Sequence, residues 1–352
     1  MQICQECIRR YGGIPKGFEE GIQCHICNGV FQKVDQLIDL FLNETKEYEF
    51  STFLIGSSFP KKQIELDSSI LSEQFPKGRG LKHHFNSLIG SRIEKLTGKT
   101  VEFKVPELVF KFNLEDFSTE LEIKPIYVAG RYLKLKRGIP QSPWIHPGAN
   151  ESLSVSEYIG IPITKSFKGK DYNFFASGRE DVDVLMLGNG RPFYVEVLKP
   201  VKRSSDLMEI ENKISNFSGG AIEVRELHIA NSEEIEKMKE ELHDKLYEVS
   251  IELESPIENL ESKLENIKNL EILQRTPNRV LKSRSDLVRK KMVYSIEVVD
   301  YKYTQAKIRI KASSGTYIKE FIHGDNGRTT PSLSSILGVN IKIDYLNVLE
   351  VN

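Results

Sequence analysis

Gly178-Arg179-Glu180-Asp181-Val182-Asp183-Val184 runs into Leu185-Met186-Leu187, then Gly188-Asn189-Gly190-Arg191-Pro192, then Phe193-Tyr194-Val195-Glu196-Val197. The alternation predicts a strand over 181–187, the glycines a turn, and 192–198 a returning strand, together a hairpin. On a strand, Val182 and Val184 share one face and Asp181 and Asp183 the other. Two carboxylates beside Arg179 at the mouth of a hairpin suit chemistry better than a core. The plainer reading is a structural pair between Asp181 and Arg179 or Arg191.

Strand signals continue outward from this stretch, at 221–229, 246–253, 291–300, 305–312 and 339–351, with helical spacing at 205–216, 232–242 and 316–323. This predicts one domain over 151–352, a mixed sheet with helices. Upstream, Val34, Leu37, Ile38 and Phe41 recur at helical spacing within Phe31–Tyr48. A strand is expected at Phe50–Ile55, a helix at Leu81–Leu96, and strands at Leu108–Phe112 and Leu121–Val128. Pro140–Gly148 holds three prolines and the only tryptophan, Trp144, and reads as a loop. Residues 31–150 form a second unit, and the fold class is α+β.

All four cysteines lie at the amino terminus, as Cys4-Gln5-Glu6-Cys7 and, sixteen residues on, Cys24-His25-Ile26-Cys27. Two such knuckles predict a tetrahedral zinc site over 1–30, with Cys4, Cys7, Cys24 and Cys27 as ligands. Four protein ligands leave no open position, so the metal is structural. His25 reads as a bystander. A disulfide framework is the rival reading, and clustered thiols in an intracellular chain fit metal better.

The 352 residues are 39% hydrophobic and 28% charged, ordinary for a globular chain with a real core. No apolar run approaches the roughly 20 residues needed to cross a bilayer, and residues 1–10 carry no signal segment, so a cytoplasmic location is expected. The formal net charge is −1. The bases are segregated nonetheless: Arg131, Lys134, Lys136 and Arg137 form one run, and Arg279, Lys282, Arg284, Arg289, Lys290 and Lys291 another with Asp286 its one acid. Such patches either bind a polyanion locally or are solvated faces.

Two further segments compete with 178–184 for a site: Thr276-Pro277-Asn278-Arg279-Val280, and Ser314-Gly315-Thr316-Tyr317-Ile318-Lys319-Glu320-Phe321-Ile322-His323-Gly324-Asp325. In the second, Lys319 and His323 share a helix face, although His323 reads equally as a cap and Lys319 as a solvated residue. The P-loop, dinucleotide-binding, HExxH and GxSxG patterns are absent, and no cysteine remains for thiol catalysis. Asp183, Glu196 and Lys199 echo the acid–acid–lysine set of Mg²⁺-dependent nucleases, but Glu196 and Lys199 are three apart and fall on opposite faces of a regular strand.

Taken together, these motifs resemble a family. Ser177-Gly178-Arg179-Glu180-Asp181-Val182-Asp183-Val184, Arg275-Thr276-Pro277-x-Arg279-Val280 and Gly315-Thr316-Tyr317-Ile318-Lys319-Glu320-Phe321-Ile322-His323-Gly324-Asp325-x-Gly327-Arg328-Thr329 resemble the archaeal-type tRNA pseudouridine synthase that modifies T-loop uridines. Gly130-Arg131-Tyr132-x-Lys134-x-x-Arg137-Gly138-Ile139-Pro140-Gln141-Ser142 resembles its THUMP-containing accessory domain, and the Cys₄ box lies where that family places it. The resemblance implies a largely antiparallel pseudouridine synthase sheet over 151–352 and a THUMP-containing α/β domain over 31–150. It implies isomerisation of uridine 54 and/or uridine 55 of tRNA, with structural zinc and no organic cofactor. The superfamily's Arg-x-Asp signature selects Asp181 as catalytic, and not Asp183. Tyr247, Ile318, Lys319 and Leu346 fall on substrate-binding positions, and Arg179 on one that holds phosphate or fills the gap left by the base. Arg131, Lys134, Arg137, Arg279, Lys282, Arg284 and Arg289 are expected on phosphates. tRNA is the expected partner, with no membrane and no protein partner. The alternatives are a non-catalytic zinc-containing tRNA-binding protein, and the nuclease.

Overall fold

A computed structural model describes residues 1–143, 153–281 and 284–352. Residues 144–148 of the expected loop, Trp144 among them, and Lys282 lie outside the described residues. The chain divides into two units.

The first comprises Met1–Ile126 with Phe167–Asp171 and Val197–Ser205. Its strands are β1 (Gln2–Ile3), β2 (Glu19–Glu20), β3 (Thr52–Ser58), β4 (Thr100–Val101), β5 (Leu108–Asn113) and β6 (Thr119–Ile123), and its helices α1 (Gln5–Tyr11), α2 (Val34–Thr45), α3 (Lys61–Gln74) and α4 (Leu81–Thr97). A four-stranded sheet runs β4-β3-β5-β6, with β3 parallel to β4 and β5. The expected apolar stripe of α2, Val34, Leu37, Ile38 and Phe41, packs with Phe53, Ile55, Phe85, Ile89 and Phe110 in one core. The single strand expected over Leu121–Val128 is two, because Pro125 has no N–H to offer a ladder. Helix α3 has too polar a face to announce itself in the sequence. It is tied in by buried Asp67, which accepts from the Tyr11 hydroxyl (2.6 Å) and the Leu81 N–H (2.7 Å) and pairs with Arg10 (2.5 Å).

The second unit comprises Tyr127–Ser166, Tyr172–Glu196 and Asp206–Asn352. Its strands are β7 (Ile126–Lys134), β8 (Asp171–Ala176), β9 (Leu185–Leu198), β10 (Ile222–Ala230), β11 (Lys245–Leu253), β12 (Lys268–Arg275), β13 (Val288–Lys302), β14 (Gln305–Ala312), β15 (Thr329–Thr330) and β16 (Ile341–Val351). They form one sheet ordered β10-β7-β9-β16-β11-β14-β13-β12-β15, with β8 on β9. The β16–β9 pair is parallel, while β10–β7, β11–β16, β11–β14, β13–β14 and β12–β13 are antiparallel. Helices α5 (Val155–Ser166), α6 (Leu207–Phe217), α7 (Ser232–Glu240), α8 (Leu260–Glu265), α9 (Ile318–His323) and α10 (Leu333–Leu337) complete it. The α+β class and the largely antiparallel sheet are as expected.

Two expectations are corrected here. The boundary set at residue 150 falls near 126, because β7 pairs with β10 inside the large sheet, which places Gly130–Lys134 there and not in the accessory unit. The hairpin over 181–198 does not exist. Residues 181–184 are a loop, and β9 then runs unbroken for 14 residues. Gly188 (φ +58°) bends this strand against its neighbour, where a Cβ would stand 2.0 Å from the Leu349 carbonyl oxygen. The glycine marks a close approach of two backbones and not a turn. Among the described residues no helix is long and apolar enough to cross a membrane.

Candidate active site

The 178–184 loop forms one wall of a cleft of about 420 Å³ in the second unit. Asp181 stands at this wall, half-buried. Arg279 Nη1 donates to its Oδ1 at 2.8 Å, and Lys319 Nζ lies 3.2 Å from Oδ2. The three segments singled out in the sequence thus meet at one carboxylate. The plainer alternative, a pair with Arg179 or Arg191, is not what forms. Lys319 also donates to both oxygens of exposed Asp183 at 2.8 Å. Although partial burial pushes the Asp183 carboxyl up, the hydrogen bond and charge of Lys319 hold it below its ordinary value.

Tyr247, Ile318 and Leu346, each almost wholly buried, line the same cleft with Val184 and Val348. Strand pairing sets two of them side by side: Tyr247 faces Val348 across β11–β16, and Val249 faces Leu346. The Tyr247 hydroxyl makes no hydrogen bond among the described residues, and burial pushes its pKa up to about 12, so it stays protonated. Arg179 is exposed at the rim without a partner among the described residues, and Arg284 donates to the Tyr317 hydroxyl at 2.8 Å. Arg289 is exposed on β13 and donates to Thr276 Oγ1 at 3.2 Å. His323 is exposed, accepts from the Asp325 N–H (3.0 Å) and does not line the cleft.

Three residues expected on phosphates hydrogen-bond within the protein, and of these Lys134 is too buried to reach a phosphate. Lys134 is fully buried, and its Nζ donates to the carbonyls of Ile139 (2.9 Å), Asp181 (3.0 Å) and Val182 (3.2 Å). Arg137 donates to the carbonyls of Asp183 and Leu346 and to Asn347 Oδ1. Arg131 holds the carbonyls of Asn189, Gly190 and Val351. A basic run reads alike whether it faces water or braces a loop that has no ladder to satisfy its carbonyls. Burial pushes Lys134 down to about 8 from its ordinary 10.5, and Lys245, on the cleft floor, likewise. Between those values the unfolded chain keeps a proton that the folded one has lost, so stability rises with pH across that window. Lys134→Met is expected to remove about half of the rise, as read from urea midpoints between about pH 8 and 10. An unchanged slope would show that Lys134 is not buried as described.

The sequence also missed Glu180, the middle residue of Arg179-Glu180-Asp181. Its carboxylate is buried and accepts from Arg191 Nε (2.9 Å) and the Tyr132 hydroxyl (2.8 and 2.9 Å), and Arg191 donates onward to the Ser177 carbonyl (2.8 Å). Removing one partner of such a pair strands a buried charge, at about 3–5 kcal/mol. Gly178 (φ +93°) belongs to this knot, since a Cβ there would meet Arg191 Nη1 at 2.7 Å. Opposite, Arg328 donates to the Thr276 carbonyl (3.0 and 2.7 Å) and Asp286, and Asp325 accepts from the Asn278 N–H (3.1 Å), fixing the segment that carries Arg279.

In the first unit the Sγ atoms of Cys4, Cys7, Cys24 and Cys27 lie within 4.8 Å of one another, all buried, with Cys4 and Cys27 at 3.6 Å. A tetrahedral ion with bonds of about 2.3 Å sets its sulfurs about 3.8 Å apart, so this group could hold one. His25 Nδ1 accepts from the Gln2 N–H (2.9 Å), in keeping with a bystander. Among the described residues no other group of three His, Cys, Asp or Glu side chains comes close enough to share an ion. The nuclease triad is not assembled: Glu196 is engaged by Tyr127 (2.9 Å) and Asn173 (2.8 Å), and Asp183 by Lys319.

Known proteins resemble this chain along its length. The family described as "Pus10, C-terminal" matches residues 127–352, and "Pus10 THUMP domain, archaeal" matches residues 37–113. A protein of Pyrococcus furiosus named tRNA pseudouridine synthase Pus10 is 40% identical over 99% of this chain and 95% of its own length. Its namesake in Archaeoglobus fulgidus is 36% identical over the whole of both chains. Among solved structures, a chain of a Cbf5–Nop10–Gar1 complex aligns over 63% of this chain and 58% of its own at 17% identity, with a TM-score of 0.34. The match of residues 127–352 and the full-length likeness of these relatives make the chain a member of the Pus10 family of pseudouridine synthases.

Proposed function

We propose that this cleft converts uridine to pseudouridine in the T-loop of tRNA, at position 54, 55 or both, with Asp181 as the catalytic residue. The observation that carries the reading is a carboxylate flanked by two cations on the wall of a cleft that Tyr247, Ile318 and Leu346 also line, with polar side chains such as Lys245 and Gln141 beside them. A uracil in a folded loop is stacked and must be everted before a side chain can reach it. Tyr247 then stacks on the base and Leu346 and Ile318 close its edges, while Asp181, ionised, engages the nucleotide. The C1′–N1 bond breaks, the uracil turns within the pocket, C5 bonds to C1′, and the proton lost from C5 is replaced by one on N1. Product and substrate are isomers, so the chemistry calls for no oxidant, reductant or organic cofactor.

The exposed cations at the cleft, Arg179 and Arg284, with Arg289 beyond them, are assigned to phosphates, which they position without reading sequence. Arg279 and Lys319 act on Asp181 first. The cysteines are assigned to structural zinc in the first unit. A tRNA substrate and a cytoplasmic site of action complete the reading. It is tested by incubating an unmodified tRNA transcript with the protein and mapping pseudouridine by an adduct that halts reverse transcription. New stops at T-loop uridines are expected, and a transcript that binds yet gains none would favour the non-catalytic tRNA-binding alternative.

A further inference from the structure

Asp181 is not the only carboxylate that its two cations touch. Arg279 Nε donates to Glu320 Oε1 at 2.7 Å while Nη1 of the same guanidinium reaches Asp181 at 2.8 Å. Lys319 divides its ammonium between Asp181 (3.2 Å) and Asp183 (2.8 Å). The cluster therefore runs Glu320–Arg279–Asp181–Lys319–Asp183, an inner carboxylate between two cations, each held by an outer one.

The two outer carboxylates are not equivalent. The side chain of Asp183 is 69% exposed and that of Glu320 4%. An ion pair in water contributes little and is screened, whereas a buried charge-assisted hydrogen bond is directional and strong. Glu320 Oε2 is moreover buried with no partner among the described residues, so Arg279 is the ligand that keeps this carboxylate in place. Holding a buried anion with one oxygen unsatisfied is costly, and helix α9 would be better served by an apolar residue if packing were the only demand.

We infer that Glu320 is a positioning residue for the isomerisation: it locks the plane of the Arg279 guanidinium so that Nη1 meets Asp181, and it shares the positive charge that would otherwise rest wholly on Asp181. Arg279, with both a charge and a fixed edge, then orients the reacting carboxylate without closing over it. Asp183 does the corresponding service for Lys319 only weakly, because water competes for it. This inference rests on the proposed role of Asp181.

Glu320→Gln tests it. The amide keeps the size and one acceptor but removes the negative charge opposite the Arg279 guanidinium, and it places a donor where the protein offers no acceptor. Pseudouridine formation on a tRNA transcript is expected to fall in kcat by about tenfold with KM unchanged, at a temperature where the variant is fully folded, since the group acts on the reacting residue and not on binding. In an Arg279→Lys background, which has no Nε–H to hold, the same change should alter kcat by less than about twofold, the non-additivity of two groups acting as one. Glu320→Met, apolar and of similar length, is made alongside, so that a folded variant is scored even if the glutamine disturbs helix α9. Unchanged kcat in the folded variants, a kcat loss that follows lost stability, or losses that multiply with Arg279→Lys would overturn the inference. Asp181→Asn in the same assay separates the two readings: activity there sinks the role of Asp181 itself, whereas an inactive Asp181→Asn beside a fully active Glu320→Gln sinks only the role of Glu320.

Discussion

Asp181→Asn is expected to abolish pseudouridine formation, by on the order of 10⁴-fold or more, while tRNA binding persists within a fewfold. The amide has the shape of the carboxylate and its one oxygen can still accept from Arg279 or from Lys319, while Lys134 and Arg137 hold the loop through its backbone carbonyls. What is lost is the anion, and a neutral amide cannot serve as nucleophile or base. Binding is spared because the exposed cations assigned to phosphate are other residues, Arg179, Arg284 and Arg289. Filter binding and adduct mapping on one transcript read the two quantities separately. A matched loss of both would mean that Asp181 shapes the surface and does not act on the nucleotide.

The zinc assigned to the four cysteines carries the second large expected effect, read by removing it. Ile3, Tyr11, Ile26, Ile70 and Leu81 pack directly around the four cysteines, and helix α1 starts at the first knuckle. A core this small does not hold together through apolar area alone, and structural zinc in comparable modules supplies an apparent 10–16 kcal/mol or so at neutral pH. One zinc per chain is therefore expected by metal analysis. A strong chelator, or Cys24→Ser, should expose Tyr11 and lower the melting of this unit by many degrees. Metal-free protein that melts with the untreated sample would show that the thiols pack as ordinary apolar side chains.

Much of this was legible from the chain because the signals are local. The cysteine spacing brings four thiols together, and the alternation in 246–253, 305–312 and 339–351 gives strands β11, β14 and β16 nearly as expected. The convergence of 178–184, 276–280 and 314–325 on one cleft followed from the family motifs and from no periodicity. What was not legible depends on distant partners. Gly188 and Gly190 read as a turn, yet they bend a continuous strand against Leu349 and Tyr132. Lys134 reads as solvent-facing until β7 is seen inside the large sheet, where the lysine braces carbonyls 47 and 48 residues away. No local pattern singles out Glu320, and its pairing depends on Arg279, 41 residues earlier in the chain.

The most direct test of the central claim sets Asp181→Asn beside Asp183→Asn on a single transcript under single-turnover conditions. The two carboxylates are two residues apart and both touch Lys319, yet only Asp181 lines the cleft. No pseudouridine from the first variant, and product from the second at a rate within about tenfold of the parent, is the expected outcome. Product from the Asp181 variant, or its loss only from the Asp183 variant, would contradict the account.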